Sequence, residues 1–143
     1  MTNDHDHGDH DRDGHDNGRR AEGKAQMRAV YGWDIEPTKP FERATVDHLF
    51  GSVWADRPDS LSVRDLRLVL IGMTAGSGLP DVAGLQIETA LNQGELDVAD
   101  LRHLIVFLAH YAGWPRGAVL NSLVEQIIPR HDATRRADED DLP

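Results

Sequence analysis

The sequence predicts an all-α protein, a compact antiparallel helical domain, and three observations carry that expectation. Apolar residues between positions 43 and 128 recur at i, i+3, i+4 and i+7, the spacing of helix faces. No strand-like alternation flanks any Asn-Gly or Gly-Asn pair, so no hairpin is indicated. The breaks between helical stretches are short, which makes consecutive helices antiparallel neighbours.

Composition sets the outer bounds. A chain of 143 residues with 39% hydrophobic residues is the size of one domain with a real core. A formal net charge of −10 argues against nucleic acid and anionic membrane surfaces as partners. No stretch has the length and apolarity of a membrane span. No apolar signal region opens the chain, so a cytoplasmic location is expected. The absence of cysteine excludes disulfides, thiol nucleophiles, CxxC redox chemistry and thiolate metal sites.

Taken in order, residues 1–24, "MTNDHDHGDHDRDGHDNGRRAEGK", are almost free of apolar side chains and read as a disordered tail. His5, His7, His10 and His15 lie there among carboxylates, but nothing fixes a coordination geometry, so a solvated acidic tail is expected. The helical domain is expected over 25–130. Within it, residues 43–55 carry Val46, Leu49, Phe50, Val53 and Trp54 at helical spacing. Ser60 or Ser62 can cap the next helix, 62–76, whose Leu66, Val69, Leu70 and Met73 form one apolar side that Leu68 and Ile71 widen. "GSGLP" ends it, and Pro80 sits where a missing N–H costs nothing. Helix 81–92 closes at "NQGELD", with Gly94 as the left-handed residue. Asp97, with Asp100 three positions on, caps helix 98–112. After "GWP", helix 115–128 carries Val119, Leu123, Val124, Ile127 and Ile128, of which Ile127 and Ile128 exceed what a small bundle buries, and with the central helix apolar on more than one face this points to a homo-oligomer. Residues 131–143 form a polar C-terminal tail.

Over residues 47–128 the segments "HLFGSVWADRPDSLSVRDLRLVLIGM" and "GLQIETALNQGELDVADLRHLIVFLAHYAGWPRGAVLNSL" resemble the carboxymuconolactone decarboxylase family. The shared features are an FGxxW-like segment, an Arg-bearing central helix, a helix ending in AL-N-x-G, an acidic-capped helix and a Y-A-G-x-P turn. The resemblance implies the all-helical fold shared with the alkylhydroperoxidase D branch and a homo-oligomer, commonly a trimer or hexamer. It further implies cofactor-free decarboxylation of a small carboxylated lactone in aromatic-acid breakdown. The CxxC peroxidase chemistry of the related branch is excluded by the missing cysteines. Family decarboxylases carry a histidine where this chain has Gln86, and an amide cannot transfer protons at neutral pH.

The candidate residues follow. His110 lies at the edge of the buried face set by Leu101, Ile105 and Leu108, and is either a general acid–base group or a helix-end histidine bonded to a last-turn carbonyl. Tyr111 and Trp114 either wall a pocket or fill the gap at the turn. Trp54 is placed near the pocket by the resemblance and is equally consistent with the core. Arg64 or Arg67 offers bidentate geometry to a substrate carboxylate, or pairs with Asp65 or Glu88. Gln86 is the interior residue of its helix and needs partners, and Gln86 or Tyr111 would stabilise the developing enolate in the reaction that the resemblance implies. No metal is expected in residues 40–128, and no cofactor. The second reading is a non-catalytic helical oligomer of the same fold that binds a small molecule or a protein partner.

Overall fold

A computed structural model describes residues 10–140, with side chains from Gly14 onward. Every regular element among the described residues is helical. The chain forms two compact units, Met1–Leu61 and Ser62–Pro143. The boundary between them falls inside the stretch 25–130 that the sequence reads as one domain.

In the first unit, helix α1 spans His10–Tyr31, a four-residue α2 spans Pro40–Arg43, and a π-helical segment follows over Ala44–Trp54. Composition alone assigns residues 10–24 to a disordered tail, yet they are helical. The physical reason is pairing between elements. The Arg20 guanidinium grips Asp47 with two parallel bonds of 3.0 and 2.7 Å, and Arg19 donates to the Ser52 hydroxyl. At the crossing a glycine stands on each side. A Cβ on Gly51 would lie 2.6 Å from the Arg19 carbonyl oxygen, so the backbones meet where no side chain intervenes. Met27, Val30, Val46, Phe50 and Trp54 are the buried apolar side chains. His5 and His7 lie outside the described residues.

The second unit is an aliphatic bundle of four helices: α3 (Val63–Gly76), α4 (Pro80–Asn92), α5 (Val98–Ala112) and α6 (Trp114–Asp140). Ser62 caps α3 by accepting from the Asp65 N–H, and the Asp65 carboxylate accepts from the Ser62 N–H and hydroxyl. Asp97 and Asp100 do the same for α5. Pro80 opens α4. Gly94 takes φ +67° after it, a left-handed turn that a Cβ would strain.

Ile71, Ile87, Leu101, Leu120, Val124 and Ile127 form the centre of the core. Ile127 and Ile128, expected to be left over for an oligomer contact, are buried within the unit. Helix α6 continues through Asp140, past the expected start of a tail at 131. The Arg135–Glu139 ion pair at 3.6 Å and the bond from Thr134 Oγ1 to the Arg130 carbonyl support that extension.

Helix α3 faces differently from the sequence expectation. Its buried residues are Arg67, Ile71, Thr74 and Ala75, while Val69 and Met73 stand exposed. No helix of the described residues is long and apolar enough to cross a membrane.

Candidate functional site

The inward turn of α3 places a guanidinium in the middle of the second unit. Arg67 is 1% exposed, and Gln86, from the facing side of α4, is equally buried. The left-handed turn at Gly94 then delivers Glu95 to the same point. Arg67 Nε donates to Glu95 Oε2 at 2.5 Å, Nη2 to Oε1 at 3.1 Å, and Nη1 to Gln86 Oε1 at 2.9 Å. Arg64, one turn earlier and exposed, donates from Nε to the Glu95 carbonyl oxygen at 2.9 Å. Both arginines therefore anchor the α4–α5 turn to the start of α3.

A buried cation is costly unless paired, and the fork-on-fork geometry with Glu95 supplies that pairing. It also occupies the position a substrate carboxylate would take on Arg67. The carboxylate comes from Glu95, not from Asp65 or Glu88. One polar atom of the cluster is unmatched: Gln86 Nε2 is buried without a hydrogen-bond partner among the described residues. A donor left so costs about 1–3 kcal/mol, which marks it as either a strained point or a contact for something further.

The "HYAGWP" turn lies on the surface instead. His110 is exposed rather than at the edge of the buried face, and its Nδ1 is 2.7 Å from the Val106 carbonyl oxygen. Since a carbonyl only accepts, Nδ1 carries the proton and donates. Tyr111 is 80% exposed and Trp114 66% exposed. Their ring contacts are with neighbours on the same surface: Tyr111 with Phe107 at 4.9 Å between centroids, Trp114 with His110 at 5.6 Å. Beneath them α5 and α6 meet at Ala109 and Gly117, where a Cβ on the glycine would overlap the alanine. That close contact leaves the aromatic rings no interior to fill. Trp54 belongs to the first unit, where it stacks on Phe50 at 6.2 Å within that core.

So Arg64, Arg67 and Gln86 come together, and His110, Tyr111 and Trp114 form a separate exposed group. Among the described residues, clefts open on the second unit at two places of note. One, of about 610 Å³, runs between the α4–α5 turn and the later part of α6, where His131 Nδ1 meets Asn92 Oδ1 at 3.0 Å. The other, of about 270 Å³, lies where α4 and α6 begin. Neither is lined by any of those six residues. No group of three or more potential metal ligands is gathered among the described residues. Sequence reasoning missed Glu95. The available signal was its place directly after the left-handed glycine, which returns it towards the helix carrying the arginines. No family model, curated protein or solved structure matches this chain.

Proposed function

We propose that the Ser62–Pro143 unit is a non-catalytic helical module that associates with further copies of itself, a cysteine-free relative of the carboxymuconolactone decarboxylase-like helical proteins. The observation that carries this reading is the pairing of the buried Arg67 guanidinium with Glu95 and Gln86. The guanidinium is neutralised by Glu95, and Gln86 has no proton to transfer. The one histidine of the expected site, His110, is exposed and bonded back to its own helix.

Association is supported by the apolar side chains left outside. Val69 and Met73 lie one turn apart on α3, and Phe107 and Tyr111 lie one turn apart on α5. Those helices touch at Gly72 and Leu108, where a Cβ on the glycine would lie 3.7 Å from the leucine methyl. Adjacent exposed apolar rows of this kind mark interaction surfaces, and the trimer or hexamer suggested by the resemblance would cover them. Light scattering on the whole chain tests this. The wild type is expected above 15.9 kDa, and Met73→Asp with Phe107→Asp should return it to that mass without unfolding it. A wild-type monomer at micromolar concentration sinks the reading.

A second reading is favoured by one observation, the unpartnered Gln86 Nε2. In it the protein is a cofactor-free lyase of a small carboxylated lactone, and Nε2 donates to the oxygen that gains charge as carbon dioxide leaves. Incubation with γ-carboxymuconolactone separates the two. The module is expected to leave the lactone intact, whereas carbon dioxide release that is lost in Gln86→Leu establishes the lyase.

A further inference from the structure

We infer that the smaller cleft, at the starts of α4 and α6, binds a small apolar monocarboxylate. The inference stands apart from the proposed function, since the cleft shares no residue with the Arg67 cluster or with the exposed rows of α3 and α5 named above.

The walls come from how the two helices begin. Pro80 opens α4 and Pro115 stands in the first turn of α6, and both line the cleft. Neither has an N–H, so each of these helix starts presents ring carbons where another residue would present a polar donor. Ala75 and Leu120, both buried, and Val119, half exposed, complete an apolar lining. The helices cannot move apart cheaply, because α4 and α6 are pressed together one turn further on. A Cβ on Gly84 would lie 2.8 Å from a Leu123 methyl.

The mouth carries one charge. Arg116 is the single ionisable residue in the lining. Its Nη1 donates to the Ala112 carbonyl at 3.2 Å, and among the described residues no carboxylate lies within ion-pair distance of it. Gly78, at φ +72°, leaves room beside it: a Cβ there would stand 4.0 Å from Arg116 Nε. A guanidinium that still has donors to offer, at the rim of an apolar slot, selects a carboxylate attached to a hydrocarbon. At about 270 Å³ the slot is below the roughly 300–1,000 Å³ of drug-sized sites, so the tail is short or cyclic.

The test uses the whole chain labelled with nitrogen-15 and titrated with hexanoate and cyclohexanecarboxylate, with hexanol and cyclohexylmethanol as uncharged counterparts. Both acids are expected to shift the Gly78, Arg116 and Val119 amides and to bind about tenfold more tightly than the alcohols. Arg116→Gln should lower acid affinity by about tenfold and leave alcohol affinity unchanged. Because Arg116 is exposed, the variant keeps its fold, and its unchanged melting temperature confirms that. Acids and alcohols binding alike, an Arg116→Gln variant that holds the acids as tightly as wild type, or no shift at those amides overturns the inference.

Discussion

The Arg67 cluster and the His110 surface occupy the same four-helix unit and are built on opposite terms. Around Arg67 the chain buries a charge and surrounds it with its own acceptors, Glu95 and Gln86. Around His110 it leaves a histidine, a tyrosine and a tryptophan in water, over helices too closely packed to admit them. The residue types best suited to proton transfer stand where solvent competes with every contact. The groups with a fixed, buried geometry, Arg67 and Gln86, are bonded to each other, and Arg67 to Glu95. The two regions therefore differ in how firmly the fold fixes the geometry of their polar groups.

The first expected outcome bears on the buried side. Glu95→Ala should destabilise the protein by about 3–5 kcal/mol, because it removes the carboxylate paired with the buried Arg67 guanidinium. Urea denaturation measures it, and a loss under about 1 kcal/mol would mean that water reaches Arg67 and the two regions differ less than their burial implies. Next in size is the floor beneath the exposed rings. Gly117→Val should cost about 1–3 kcal/mol through overlap with Ala109, read as a lowered melting temperature. A neutral result there would show that α5 and α6 separate readily, enough to let the aromatic side chains inward.

His110→Gln should change stability by no more than about 0.5 kcal/mol, since the side chain is exposed and its ring contact with Trp114 lies on the surface. A larger loss would assign His110 a role that its bond to Val106 and its surface contact with Trp114 do not explain.

The smallest effect concerns pH, at Asp65, two residues before Arg67. Hydrogen bonds from the Ser62 hydroxyl and then the Ser62 N–H hold the Asp65 carboxyl below its ordinary 3.8. Folding lowers this pKa, so the contribution is complete above 3.8 and is lost as pH falls through the depressed folded value. Asp65→Asn should therefore flatten the acid limb of the stability profile, measured by thermal melts from about pH 5 to about pH 2. Glu42, held below its ordinary 4.5 by the Thr38 and Lys39 N–H groups and the Thr38 hydroxyl, adds the same sign of dependence in the first unit.

The signals that sequence carries by itself are local ones, and they account for the helices and their punctuation. Ser62, Asp97, Pro80 and Gly94 act on backbone groups within a few residues, so their roles in starting and ending helices are readable along the chain. The interior position of Gln86 follows from helical periodicity in the same way. What lies inside α3 was decided only by tertiary structure. Periodicity favours Val69 and Met73 for the interior, since burying apolar surface is ordinarily cheaper than burying a guanidinium. That preference is reversed by two partners distant in sequence, Glu95 after the Gly94 turn and Gln86 on α4. The helix of residues 10–24 is the same case: its charges forbid a core of its own, and Asp47 and Ser52 supply what composition cannot register. A polar group is buried or exposed according to whether the fold brings it a partner, and that is a property of the folded chain rather than of any window along it.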